Sequence, residues 1–446
     1  MPEDVDHPLF YNKTLDGLTP GDCESGCAPS TAPLSVGHRR PDAKAIRRVC
    51  IIMRVTQDPN PTFLPEQNET FRGSDRRLRV GIVGCRIGHR HALAFARLSA
   101  LYEVRAVCDI DAGRARYVAD ALGGVDCMQS YDELLGRGGL DLISICTPPY
   151  LHFEQISEAL QAGCHVICEK PLVGSLRELD ELDLLGANNH ARIIPVFQMR
   201  FGGGLQKLKR LVELGVAGRS YLATIETAWY RTREYYEVPW RRTWRGSLGG
   251  CLLGHAVHAH DMLTYINGPV ARVRAIAKTL VNPVETEDCA TASLEMNDGS
   301  LASLSVTLGS VVELSRLRFC YENLVAESNS TPYDCSSDPW KFVGASPEIE
   351  KRISEALLDW KSGPEGYDAQ FLDAYRVIRE GEQGVAQLSD ARASIELVSA
   401  LYHSAQYDET VCLPMRPDHP AYGGFHSAEN RGIGGACSRS DGGHGS

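Results

Sequence analysis

The sequence predicts an α/β chain: an N-terminal Rossmann-type, doubly wound parallel sheet, followed by an α+β domain with a large, mostly antiparallel sheet. Three observations predict it. Between Leu78 and about Phe197, short apolar runs alternate with segments of helical period, the pattern of strand–helix–strand units. Beyond that point, apolar runs follow one another without a helix between each pair, which suits antiparallel pairing. The first strand also ends in a glycine-bearing turn that runs straight into a helix, as phosphate-cradling turns do.

Each element can be justified in order. LRVGIVG, from Leu78, is a short apolar strand, and an Ala- and Leu-rich helical stretch follows it through Leu98. VRAVCDID reads as a second strand and residues 113–122 as a helix. LDLISICTPP is a third strand, stopped by Pro148 and Pro149 because proline has no N–H to continue a ladder. Residues 151–162 are helical again, CHVICEKP is another strand, and the last parallel strand covers 193–197. In the second half YLATIETAWY, ARVRAIAKTL, CATASLEM and SLASLSVTL are strands, with Asn297, Asp298 and Gly299 as a hairpin turn. Two helices close the pattern, 367–380 and 389–405, with Ser389 as N-cap of the second. There is no internal repeat.

Bulk composition narrows the class. At 446 residues the chain exceeds one ordinary domain, and 43% hydrophobic with 23% charged residues is globular composition. Lys and Arg total 46 against 57 Asp and Glu, a formal charge of −11, which disfavours nucleic acid and anionic membrane as partners. No apolar run approaches the roughly 20 residues of a membrane span. The 15 cysteines are scattered and odd in number; Cys108, Cys146 and Cys168 sit in apolar strands, which points to a reduced, cytoplasmic setting.

Four stretches are expected. Residues 1–77 read as a disordered extension, rich in Pro, Asp, Thr and Gly, whose one apolar patch is VCIIM at 49–53. MPEDVD is no secretory start, the Arg47-Arg48 pair is followed by an apolar run cut at Arg54, and Cys23 and Cys27 lack a second zinc-spaced pair. Residues 78–197 form the nucleotide-binding domain and 198–424 the α+β substrate and oligomerisation domain. Residues 425–446 are a Gly- and Ser-rich flexible tail.

Within GIVGCRIGHRHA, Gly84 and Gly88 take the first and last glycine places of a dinucleotide turn, with Arg86 standing at the middle one. Gly84, Arg86, Ile87 and Gly88 are therefore expected along the pyrophosphate, at a helix N-terminus. Asp109 ends the second strand about 20 residues on, where a carboxylate binds ribose hydroxyls and repels a 2′-phosphate. No arginine follows it directly, so NAD is expected rather than NADP.

The stretch ICTPPYLHFEQISEALQAGCHVICEKPL, with Thr147-Pro148, His152 and Glu169-Lys170-Pro171, resembles the family of glucose–fructose oxidoreductase, inositol dehydrogenase and MocA-type proteins. The resemblance runs from about Leu78 to about Gly424 and includes IELVSALYHSA and HPAYGGF. It implies a bound nicotinamide cofactor, a sugar-like substrate and an open sheet that often forms an oligomer interface. It also implies that Thr147, Pro148 and His152 lie along the cofactor, that Glu169 positions it, and that Lys170 reaches the reacting hydroxyl. A lysine beside an oxidised nicotinamide should have a lowered pKa.

A second family motif lies in SLGGCLLGHAVHAHDML. Gly249-Gly250, His258 and Asp261 match it, but Gly254 stands where members carry an aspartate, with His255 beside it. His258 is the expected general base, since imidazole titrates near neutrality, and His255 is the candidate to compensate for the missing carboxylate. His255, His258 and Asp261 share a helical face at i, i+3 spacing, yet a metal is not expected. In WYRTREYYEVPWRRTW, the resemblance places Tyr236, Trp240 and Arg241 at the substrate, by stacking and forked hydrogen bonding. Arg200 is a further pocket candidate.

The expected activity is NAD-dependent oxidation of a secondary alcohol on a sugar, sugar derivative or cyclitol, by a homo-oligomer. Two alternatives stay open: a redox-neutral glycosidase or lyase with tightly held NAD, and a non-catalytic sensor.

Overall fold

The computed structural model describes residues 77–424. The expected extension, with Cys23, Cys27 and Arg47-Arg48, and the expected tail lie outside the described residues. The first sheet has the strands β1 (Leu78–Val83), β2 (Tyr102–Cys108), β3 (Asp126–Met128), β4 (Leu142–Ile145), β5 (His165–Cys168) and β6 (Ile193–Pro195). All are parallel, in the order β3-β2-β1-β4-β5-β6. The connecting helices are α1 (Gly88–Arg97), α2 (Ala112–Ala121), α3 (Tyr131–Gly136), α4 (His152–Gln161) and α5 (Leu176–Asn188).

β4 is buried at every position, because helices cover both faces and leave no solvent side. Phe95 and Val118 of α1 and α2 fill one side. Leu134, Ile156 and Leu179 of α3, α4 and α5 fill the other. Strand order reverses between β1 and β4, which opens a crevice at the carboxyl ends of the strands.

The second half begins with α6 (Gly203–Glu213) and β7 (Ser220–Tyr230), then α7 (Trp244–Ser247), α8 (Cys251–Gly254) and α9 (Val257–Asn267). Strands β8 (Val270–Lys278), β9 (Cys289–Met296), β10 (Leu301–Thr307), β11 (Gly309–Tyr321), β12 (Leu324–Glu327) and β13 (Lys341–Gly344) follow. The chain then forms α10 (Pro347–Ala356), α11 (Gly366–Arg379), α12 (Leu388–Tyr407) and β14 (Val411–Cys412). The sheet order is β13-β12-β11-β7-β10-β9-β8-β14, antiparallel except between β7 and β10. Burial alternates residue by residue along β8 and β10. One face therefore packs on helices while the other stays open, as the two-residue period of a strand requires.

The structure adds elements that the periodic reading passed over: β3, α5, and the strands β11 to β13. In β11, Leu317, Phe319 and Tyr321 point inward while Arg316 and Arg318 alternate outward, and those arginines break the apolar run that would mark a strand. The N-cap of α12 is Gln387, in a capping box with Asp390, and not Ser389. The box supplies two reciprocal hydrogen bonds, which a cap two residues later would lose. The last helices also reach back to the first domain. Phe371 of α11 stacks on Phe95 at 4.4 Å between centroids, and Tyr102 donates from its hydroxyl to Phe371 O at 2.7 Å. Among the described residues, no helix is long and apolar enough to cross a membrane.

Candidate active site

The turn between β1 and α1 is built for close backbone approach. Gly84 has φ +87°, and a Cβ there would come within 2.5 Å of Cys146 O; only glycine satisfies both. Ile87 takes the N-cap of α1 without a side-chain cap, which leaves the leading N–H groups of the helix available to an anion. Gly88 packs on β1, where a Cβ would sit 3.1 Å from Ile82 Cγ2. Arg86 is half-buried in the same turn.

Asp109 stands just past β2, as expected. Its Oδ2 accepts from Cys85 N at 2.8 Å and its Oδ1 from Asp111 N at 2.9 Å, so it ties the turn to the strand end. Arg114 folds back onto it, with Nη2 3.1 Å from Oδ1. The absence of an arginine directly after Asp109 in sequence therefore does not leave the carboxylate without one in space, because one turn of α2 brings Arg114 round. The glycine turn, the open helix terminus and this carboxylate together fit a dinucleotide.

Thr147 and Pro148 lie at the end of β4. Thr147 donates from Oγ1 to Gln155 Oε1 at 2.5 Å. The expectation for His152 is corrected. It is fully buried, with one ring nitrogen 2.9 Å from Thr147 O and the other 2.8 Å from Pro171 O, so it braces two loops and does not line the cofactor cleft.

Glu169 is likewise held from behind. Its Oε1 accepts from His91 Nε2 at 3.1 Å and from the Tyr367 hydroxyl at 2.7 Å, and its Oε2 from Lys170 N at 3.1 Å. A carboxylate only accepts, so His91 donates to it from Nε2, and Nδ1 lies 2.8 Å from Ser144 Oγ. Burial works against the charge, but His91, Lys170 and Tyr367 outweigh it and hold the Glu169 carboxyl at about 2.

Lys170, one residue further, donates from Nζ to Gly254 O at 2.9 Å. Burial lowers its pKa; Glu169 opposes that shift and Arg231 adds to it. His258 is buried beside it on α9, and burial together with the Lys170 charge pushes its imidazole down to about 3. The expectation that His258 titrates near neutrality is therefore corrected: water is excluded and a cation is near, and both disfavour imidazolium. Its Nδ1 has no partner among the described residues.

His255 does not share a helical face with His258 and Asp261. α8 ends at Gly254 and α9 begins at Val257, so the chain turns between them. His255 Nε2 accepts from Arg231 Nε at 3.2 Å. Asp261 is taken by Arg200, bidentate at 2.9 and 2.6 Å. Arg200 also donates to Val385 O and pairs with Asp390, and it is only 3% exposed. Arg200 is thus a buried ion-pair residue that joins α9 to α12, and the pocket expectation for it is corrected. A lone arginine following an apolar run gives no sign of two distant carboxylates.

Tyr236, Trp240 and Arg241 lie in two short 3-10 turns, Glu234–Glu237 and Pro239–Arg242. Tyr236 is buried edge-on against Tyr235 at 4.9 Å, while Arg241 stacks over Tyr235 and Trp240 at 4.2 and 5.5 Å. Glu287 had no local signature, yet it organises the motif. Its carboxylate accepts from Gly250 N at 3.1 Å, Leu252 N at 2.9 Å and the Tyr402 hydroxyl at 2.7 Å. A side chain at Gly250 would collide with it, which explains the glycine there.

These features define a dinucleotide-binding Rossmann domain whose crevice meets a second, sheet-based domain carrying buried histidines. The chain belongs to the Gfo/Idh/MocA oxidoreductase family. Residues 78–197 match the family's domain described as an oxidoreductase family with NAD-binding Rossmann fold, and residues 205–323 match the GFO/IDH/MocA C-terminal domain. The cofactor class is accordingly NAD. The chain is 32% identical over 234 residues to an uncharacterized oxidoreductase, YrbE, of Bacillus subtilis, covering 51% of this chain and 66% of that protein. It is 28% identical over 193 residues to D-glucoside 3-dehydrogenase of Escherichia coli, covering 43% and 54%. The matches thus span less than two thirds of either relative's length. The WlbA dehydrogenase of Bordetella pertussis, solved with NADH and UDP-GlcNAcA, superposes with a TM-score of 0.67 at 27% identity over 76% of this chain and 100% of that one.

Proposed function

We propose that this protein oxidises a secondary alcohol of a sugar, sugar derivative or cyclitol with NAD. One observation carries the reading: Lys170, a half-buried lysine with lowered pKa, projects from the strand-end crevice of the nucleotide-binding sheet and meets the second domain at Gly254 O, 2.9 Å away. NAD, when bound, supplies the hydride acceptor. Lys170 donates a hydrogen bond to the substrate hydroxyl and, as the amine, takes its proton. His258, neutral because it is buried, offers a ring nitrogen to share that proton. The Glu169–His91–Tyr367 network holds the Lys170 backbone in place. The dehydrogenase names and the sugar-nucleotide complex among the relatives support a sugar-like substrate.

Self-association through the open sheet face belongs to the same reading, supported by Leu222, Ile276 and Leu301, all exposed on it, and light scattering tests it. A cytoplasmic setting is supported by the cysteines, which are free throughout the described residues. The test of activity is a panel of sugars and polyols with NAD, read by NADH absorbance and by product mass. NADH with an oxidised product supports the reading. A new product without NADH release would replace it with redox-neutral chemistry.

A further inference from the structure

One corner of the crevice carries more positive charge than alcohol oxidation needs. Arg231 and Arg241 both stack on Tyr235, their guanidinium carbons 5.2 and 4.2 Å from the ring centroid. His255 approaches the same ring at 5.8 Å. Lys170 joins the corner through Gly254 O at 2.9 Å, next in sequence to His255.

The counter-charges are incomplete. Arg231 contacts Glu313 from Nη1 at 3.3 Å, and Glu169 backs Lys170. Arg241 has no carboxylate partner among the described residues; Nη1 donates to Tyr235 O at 3.3 Å and the buried Nε has no partner. The histidines add no charge, since burial and then the cations Arg231, Lys170 and Arg241 push His255 well below its usual range. Arg241 is thus the cation of this corner without a paired carboxylate among the described residues, whichever form Lys170 takes. Position 254 leaves room as well: a Cβ built on Gly254 would meet no atom within 4 Å.

We propose that the substrate is a sugar acid, whose carboxylate docks against Arg241 and Arg231 over the open space at Gly254. The unpaired Arg241 charge matches an anion, and a planar carboxylate matches the fork of a guanidinium edge. A substrate oxyanion also satisfies the orphaned Arg241 Nε, which is costly to leave buried and unpaired. The proposal names the substrate class of the site described above and rests on that reading only for the fate of the hydroxyl; the anion site stands on its own.

Binding separates the two. Matched pairs of sugar acids and their parent neutral sugars, with a sugar phosphate beside them, are titrated calorimetrically into the full chain loaded with NADH. At least one acid should bind about tenfold or more tightly than its parent, the scale of a charge-assisted hydrogen bond. Arg241→Gln should bring that ratio close to unity, and Gly254→Asp should lower it by like-charge repulsion. No acid preferred over its parent, a ratio unchanged in Arg241→Gln, or tighter binding of the phosphate would each overturn the proposal. An acid that binds selectively but yields no NADH when NAD is supplied leaves the anion site standing and sinks the dehydrogenase reading. NADH formed from neutral sugars alone does the reverse.

Discussion

Lys170 Nζ lies 2.9 Å from the carbonyl oxygen of Gly254, a residue 84 positions away in the other domain. A backbone carbonyl accepts a hydrogen bond but neither titrates nor neutralises, so it orients the amine without fixing its charge. The lysine therefore keeps the freedom to exchange a proton, which a carboxylate at 254 would restrict.

The first prediction concerns the pair at the reacting hydroxyl. Lys170→Ala and His258→Ala should each lose a substantial part of the roughly 10²–10⁴-fold that positioned acid–base groups contribute, while NAD binding is retained. The double variant should lose less than the product of the two, because both act on one proton. Single-turnover hydride transfer measures this, and an unimpaired His258→Ala protein would remove His258 from the mechanism.

The pH dependence follows from the directions of the two shifts. Burial makes the Lys170 amine accessible below the ordinary lysine value of about 10.4. Hydride transfer should rise with pH through a limb below that value, with no inflection near 6.5, because His258 is already neutral there. Lys170→Arg keeps the charge but cannot lose the proton, so it should abolish the limb. A limb that persists in Lys170→Arg would assign the titration elsewhere.

Cofactor choice is expected to depend on Asp109, which pairs with Arg114. Asp109→Ala removes the carboxylate expected to repel a 2′-phosphate, while Arg114 keeps its pairing with Asp111 beside the site. The variant should lose affinity for NAD and gain relative affinity for NADP. Titration of both cofactors checks it, and an unchanged ratio would show that Asp109 acts only by tying Cys85 N to the strand end.

His260 predicts an effect on stability. Both its ring nitrogens are buried without partners among the described residues, and burial lowers its pKa to about 4 from 6.5. Below pH 6.5 the unfolded chain gains a proton that the folded ring refuses, so this residue's contribution falls as pH drops from 6.5 towards 4. At pH 5 the loss is up to about 2 kcal/mol. His260→Leu should therefore raise the unfolding midpoint, and by more at pH 5 than at pH 7.5. An equal gain at both values would show that packing, not protonation, is responsible.

Much of this was legible one segment at a time. The parallel half announces itself because strands covered on both faces, such as LISI in β4, are buried at every position and so are mostly apolar, with Ser144 partnered by His91. Gly84 is legible because a turn at positive φ against Cys146 admits nothing larger. Lys170 and Asp109 are legible because the carboxyl ends of parallel strands are where such a sheet binds ligands.

What the sequence by itself determined is therefore the alternation of elements, the identity of the cofactor turn, and which titratable residues stand at strand ends. Only the tertiary structure decided their partners and charge states. Arg200 became an ion-pair residue, and His152 a brace, because residues far along the chain came within hydrogen-bond distance. Arg114 reached Asp109 by one helical turn, and Tyr367 reached Glu169 because α11 returns to the first domain. His258 left the neutral range because burial and Lys170 both disfavour its cation. Desolvation and Coulomb interactions depend on distance in space, and chain position constrains that distance only within a turn or two.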